Sequence, residues 1–341
     1  MAQTVGAPGL NRIQSNEITS GKYVLYVDES IVFGSEKILL ILGVEACKIP
    51  TERSLKHSDM DVLYVGASVE WKGESIEERI RKIAEHKTIS YVVSDEGHNL
   101  RKAYKTLEYI HIEDCTHILA NHLKRLYEKD EDFEMFRKLI GQLRRDWNLS
   151  KENSQYMPPT MRGKMRFANI FPCVAWAKKS FENWLNLSKE VQERLAFLRE
   201  KTLFVNSLME VSIIFKMVCQ KLKKEGFGVT QKRAIIAELE GQKGAQKTLI
   251  FIENCKGYLD NLTKKSEALN QPHLLCSSDI IESYFGKFKA KINSNNRSGL
   301  SEFIFTIANF SQPFSVEEVK SALEKVKLKD LKLVKKQPNF T

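Results

Sequence analysis

The chain has 341 residues, 42% of them hydrophobic and 28% charged, with a formal net charge of +10. That length allows two domains, or one fold carrying a large insertion, and the composition excludes a disordered or low-complexity chain. The charge is uneven: residues 1–150 carry 21 Lys+Arg against 24 Asp+Glu, residues 151–275 carry 21 against 12, and residues 276–341 carry 11 against 7. Carboxylates thus gather early and basic charge late, which suits an acidic metal site beside surfaces that hold phosphate; a lysine-rich solvated surface has the same balance. Six cysteines without CxxC spacing, and no signal peptide, read as reduced thiols in a cytoplasmic protein. No uninterrupted apolar run reaches the roughly 18 residues of a membrane span. The stretch from Leu203 to Leu222 comes nearest and reads as a buried helix, so no membrane partner is expected.

In chain order, residues 1–20 lack periodicity and read as a flexible lead-in. Strands are predicted over 23–33, 37–46 and 60–70, each rich in Val, Ile, Leu and Tyr, with Gly34-Ser35 short enough for a hairpin turn. Ser75 and Glu78 have capping-box spacing for a helix to about 87. A strand over 88–94, a helix over 98–108, a short strand over 109–113 and a helix from 115 to about 130 follow. Three strands and then alternating helices and strands is the element order of a ribonuclease H-like α/β core, running over 21–145.

From about 146 to 275 the pattern is purely helical and reads as an all-α insertion, with Phe181, Trp184, Leu185, Leu187, Val191, Leu195 and Leu198 spaced as one apolar stripe. A helix around Glu282 then closes the core over 276–312. Ser315-Val-Glu-Glu318 caps a last short helix in the Lys-rich segment 313–341.

Three carboxylates stand out. Asp28 ends the apolar run from Tyr23, where an unpaired charge is costly, and Asp95 ends the run from Ile89. Glu282 lies in a helical pattern whose apolar face is Ile280, Ile281, Tyr284, Phe285 and Phe288, with Asp279 as the expected N-cap and Glu282 at N3. Gathered together, such oxygen ligands require cations, and Mg²⁺ or Mn²⁺ is the chemical match; two such ions drive in-line phosphodiester chemistry. Each residue also has a plain structural reading, as a strand-end turn, a helix cap or a capping box. Lys287, Lys289 and Lys291 follow Glu282, and Lys289 shares its side of the helix, in position to grip a phosphate. Arg162 and Arg166 form a basic segment with Phe167. Asp114-Cys-Thr-His117 pairs an acid and an imidazole at the next strand-to-helix junction.

Tyr-Val-Asp28, Ser-Asp95-Glu-Gly, Asp114-x-x-His117 and Asp-Ile-Ile-Glu282-Ser-Tyr-Phe-Gly-Lys-Phe-Lys together resemble the catalytic core of a DDE transposase over about 21–312. The D-x-x-H pair and the helical insertion are similar to the hAT and Mutator-like arrangement, found also in bacterial insertion-sequence enzymes. The resemblance implies Asp28, Asp95 and Glu282 as catalytic metal ligands for two Mg²⁺ ions, with Asp114 and His117 supporting them. It implies DNA, both transposon ends and target, as partner, a homo-oligomer on DNA, and a nucleoid-associated location in a bacterium. Such enzymes carry an N-terminal helix-turn-helix domain, whereas about 20 residues precede the first strand here. Two alternatives stay open: a catalytically silent DNA-binding remnant, and a ribonuclease H-like nuclease or resolvase that cuts without joining.

Overall fold

The computed structural model describes residues 2–33, 36–150, 154–161, 168–293, 302–327 and 330–331. They divide into two compact units. One takes residues 1–114, 222–228 and 264–341 and holds the sheet; the other takes 115–221 and 229–263 and is helical. The fold is mixed α/β.

The sheet-bearing unit opens with helix α1 (Ala2–Ile18), followed by strands β1 (Gly21–Phe33), β2 (Glu36–Glu45) and β3 (Asp61–Ser68). Helix α2 (Gly73–Ala84), strand β4 (Lys87–Ser94), helix α3 (His98–Thr106) and the short strand β5 (His111–Glu113) complete its first segment. The strand order is β3-β2-β1-β4-β5. β1, β2 and β3 pair antiparallel, while β4 joins β1 and β5 joins β4 in parallel. Parallel neighbours need crossover connections, and α2 and α3 supply them. β1 is therefore central, and its residues from Tyr23 to Val27 are all buried, as strands covered on both faces require. One face packs Leu25, Val27, Leu39, Ile41 and Val92 against Ile76, Ile80 and Ile83 of α2 and Leu100, Ala103 and Tyr104 of α3. Each buried aliphatic side chain there stabilises by about 1.5–3 kcal/mol.

Residues 2–18 are not a flexible lead-in. Gly6, Pro8 and Gly9 in its first half and a weak apolar stripe hide this helix from periodicity, and tertiary contacts create it. Ala7, Leu10 and Ile13 are buried. Gly9 lies so close to the 3₁₀ segment Glu302–Phe310 that a Cβ would come within 2.0 Å of the Phe305 carbonyl oxygen. The Arg12 guanidinium donates to both Glu318 oxygens, at 2.7 and 2.9 Å, and to Gln312 O at 2.6 Å. At the other end the buried Lys87 ammonium donates to Asn16 O, Glu17 O and Thr19 O, satisfying carbonyls the helix leaves open.

The expected hairpin turn at Gly34-Ser35 lies outside the described residues. The expected capping box at Ser75 does not form: α2 starts at Gly73 after Lys72, with no side-chain cap, because Gly73 fits closely against Asn99 and Lys102.

The helical unit starts at Cys115, earlier than 146, with α4 (Cys115–Tyr127) and α5 (Glu131–Ser150). The reason is an aromatic cluster: Tyr127 meets Phe133 at 5.7 Å and Phe204 at 6.2 Å, and Phe136 meets Phe204 at 5.6 Å. α6 (Phe171–Glu182), α7 (Lys189–Arg194), α8 (Ala196–Glu200), α9 (Thr202–Glu225), α10 (Val229–Glu240) and α11 (Gln246–Leu269) follow. The expected single stripe from Phe181 to Leu198 is broken into short pieces, and Leu185 is 93% exposed. α9 is long and apolar enough to cross a membrane by length and composition alone; Val205, Leu208, Val211, Ile214 and Val218 are buried inside the unit.

The sheet-bearing unit resumes with α12 (Asp279–Asn293), and α13 (Val316–Lys325) closes it, with Ser315 and Glu318 forming the expected capping box.

Candidate active site

β1 and β4 run side by side in parallel, with Tyr26 paired to Val93. Asp28 lies two residues beyond Tyr26 and Asp95 two beyond Val93, so both carboxylate positions reach the same level on neighbouring strands. Alternation sets Asp28 on the β1 face of Tyr26 and Ser30. Both carboxylates act on one phenol. Tyr104 is held above its usual pKa by burial first, and then by Asp95 and Asp28, against a lowering contribution from Ser94.

Neighbouring backbone orients the two acids. Asp28 Oδ1 accepts from the Glu29 N–H at 2.7 Å, and Asp95 Oδ1 accepts from the Gly97 N–H at 2.9 Å. Ser94 donates to the Asp95 carbonyl at 2.8 Å, and His111 Nε2 sits 2.9 Å from the Ser94 hydroxyl. Burial, with Lys265 nearby, keeps His111 below its usual pKa, so it is a neutral imidazole; the Glu113 carboxylate opposes this in part.

α12 brings the third carboxylate. Ile281, Tyr284, Phe285 and Phe288 are buried on its inner face. Tyr26 and Ile280 border one cavity, and Lys289 Nζ donates to Ser30 Oγ at 2.8 Å. Nine helical residues cover about 13.5 Å and four strand residues about 13 Å, so α12 travels alongside β1 in the same direction. The level of Asp28 falls about midway, near residues 284–285. Glu282 lies seven residues from Lys289, about 20° away around the helix, and so shares the flank that meets Ser30.

Glu282 itself is exposed. Among the described residues, no three His, Cys, Asp or Glu side chains stand close enough together to hold a metal ion. Asp28 and Asp95 supply the hard oxygen donors that Mg²⁺ and Mn²⁺ take.

The expected N-cap is displaced by one residue. Ser278 caps α12, Asp279 is its first residue, and Glu282 is outside the N3 position. Asp114 explains the shift: buried at the end of β5, it accepts from the Ser278 N–H at 2.7 Å and hydroxyl at 3.1 Å. Its own N–H donates to Ser94 O at 2.9 Å. Asp114 thereby ties the start of the Glu282 helix to Ser94, the last residue of β4 and the neighbour of Asp95. His117 lies half-buried in the first turn of α4.

The basic residues occupy two flanks. Lys289 faces Ser30, whereas Lys287 and Lys291 lie over the Phe310 ring at 5.9 and 4.7 Å. Lys287 also approaches His57 Nδ1 at 3.3 Å. Arg162 and Arg166 lie outside the described residues. Sequence reading passes over Tyr104, His111 and Ser30, because a single Tyr, His or Ser carries no spacing signal until strands and helices bring it to the acids.

The frame is thus a mixed sheet with two acidic residues at the same level of adjacent parallel strands and a third on the helix beside them. No family model matches the chain, and no curated protein matches it in sequence.

Proposed function

We propose that the chain is the catalytic core of a DDE-type polynucleotidyl transferase, a transposase, with a ribonuclease H-like sheet and Asp28, Asp95 and Glu282 as its acids. One observation carries the reading: Asp28, inside β1, and Asp95, one residue past β4, each lie two residues beyond the paired Tyr26 and Val93 of adjacent parallel strands. The strand order β3-β2-β1-β4-β5, three antiparallel and then two parallel, supports the ribonuclease H-like assignment. The shared flank of Glu282 and Lys289 supports Glu282 as the third acid.

Asp28, Asp95 and Glu282 would hold Mg²⁺ or Mn²⁺, whose chemistry there is to polarise a phosphodiester and lower the pKa of an attacking hydroxyl. The chain's own part is positional. Backbone N–H groups orient the two aspartates, Asp114 anchors the start of α12, and Glu282 would complete the donor set from the exposed flank of that helix. DNA is the substrate that this chemistry and the +10 charge suit.

The test is nicking and joining of plasmid DNA in Mg²⁺ or Mn²⁺. Asp28→Asn, Asp95→Asn and Glu282→Gln should each lower the rate at least about a hundredfold with DNA binding retained. Nicking that persists undiminished in Asp28→Asn sinks the reading. A second reading, DNA binding without catalysis, is favoured by the absence of three converging metal-binding side chains among the described residues. It predicts salt-sensitive binding and no metal-dependent product.

A further inference from the structure

The sheet-bearing unit contains a small cavity at the start of α12 that the three acids do not use. Tyr26 lines it from β1, Arg53 and Ser54 from the connection after β2, Lys223 and Lys224 from the end of α9, and Ile280 from α12. Its volume is about 50 Å³. A single water needs roughly 10–15 Å³, so the space admits a tetrahedral oxyanion or a few waters and excludes a nucleobase.

Two donors there lack acceptors. The Tyr26 side chain is wholly buried and its hydroxyl has no hydrogen-bond partner among the described residues. A phenol is a neutral donor at neutral pH. The second donor is the Ile280 N–H in the first turn of a 15-residue helix. Around it, the Ser278 N–H goes to Asp114, the Asp279 N–H to Ser277 Oγ, and the Ile281 and Glu282 N–H groups to Ser278 O. The Ile280 N–H takes no acceptor among the described residues, and the helix N-terminus favours an anion in front of it.

The Asp279 carboxylate also lines the cavity, and two backbone carbonyls at or beside it are engaged. Lys223 O accepts from Ser54 Oγ at 2.9 Å, and Glu225 O lies 2.7 Å from His273 Nε2. Arg53 pairs with Asp59 and Lys223 with Asp279. Lys224 has no carboxylate partner among the described residues, so the lining keeps one positive charge in excess.

We infer that this cavity is a phosphate-binding site, in which the Tyr26 hydroxyl and Ile280 N–H donate to phosphate oxygens and Lys224 balances the charge. The phosphate has two possible sources, free phosphate or a nucleic-acid backbone. Tyr26 and Asp28 share one face of β1 about 6.6 Å apart along the strand, a separation close to that of successive phosphates in a nucleic-acid strand. The backbone source rests on the proposed function; the pocket itself does not.

The full chain, in EDTA and at matched ionic strength, is titrated with sodium phosphate by calorimetry. Saturable binding at one site is expected. Tyr26→Phe should weaken it about tenfold or more and Lys224→Ala less. With no phosphate present, the thermal midpoint of Tyr26→Phe should equal or exceed that of the parent, because the hydroxyl removed has no partner. Absence of saturable binding, or equal affinity in Tyr26→Phe, overturns the site. A labelled single-stranded oligonucleotide separates the sources. Displacement by phosphate in the parent, but not in Tyr26→Phe, assigns a backbone phosphate. Binding indifferent to phosphate assigns free phosphate and overturns the backbone source. Because metal is absent throughout, failure of the cleavage assay leaves these results unaffected.

Discussion

At the scale of single residues, Asp114 does more for the candidate site than its place in a D-x-x-H pair suggests. Its carboxylate is the acceptor for both the N–H and the hydroxyl of Ser278. Asp114→Ala leaves these buried donors unmatched and should cost about 3 kcal/mol, read as a lower urea midpoint with an unchanged slope; Asp114→Asn, which still accepts, should cost less. A loss below about 0.5 kcal/mol in the alanine variant would show that α12 is anchored elsewhere. His111 makes a pH prediction. Its folded pKa is depressed by burial below the ordinary 6.5, so the folded state binds fewer protons than the unfolded one. The resulting stability is present in full above pH 6.5 and is lost as pH falls through the lower folded value. Thermal midpoints of the parent should drop between pH 7 and 5 more steeply than those of His111→Gln. Parallel curves would remove His111 from that role.

At the scale of elements, α12 is held at both ends of its run beside β1, by Ser278 on Asp114 and by Lys289 on Ser30. Lys289 is therefore either a phosphate ligand that rests on Ser30 without DNA or a tie between helix and strand. Lys289→Ala separates these roles. As a phosphate ligand, it should weaken DNA binding and reduce the slope of log K against log salt by about one unit, with metal affinity unchanged. As a tie, it should lower the urea midpoint and leave both affinity and slope alone. α1 shows how far tertiary contacts override local signals. Its sequence carries Gly and Pro and reads as coil, yet Arg12, Gly9 and the ammonium of Lys87 hold it helical.

At the scale of the whole molecule, stability should be graded around β1. Residues Val24–Val27 and Ile38–Leu42 are wholly buried in paired central strands, whereas β5 is only three residues long and pairs along one side, with β4. Amide exchange followed by mass spectrometry should find β1 and β2 opening only with global unfolding, and β5 exchanging several orders of magnitude faster. Equal protection in β5 and β2 would refute that gradient.

The strands β1 to β5 and helices α2 to α4 were readable from the chain because apolar runs and 3.6-residue spacing report burial directly. The position of Asp95 just past β4 was readable for the same reason, whereas Asp28 ends only the apolar run and lies inside β1, which continues to Phe33. Helix starts were less so: Ser75 and Asp279 look like caps, but Gly73 packing on α3 and Asp114 reaching Ser278 decided otherwise. Pairing β1 beside β4 at the level of Tyr26 and Val93, and turning the Glu282 flank toward Ser30, belong to the tertiary structure alone. Local sequence sets which face of an element is apolar, while the partner of that face and its register depend on contacts between residues hundreds of positions apart, such as Lys289 with Ser30.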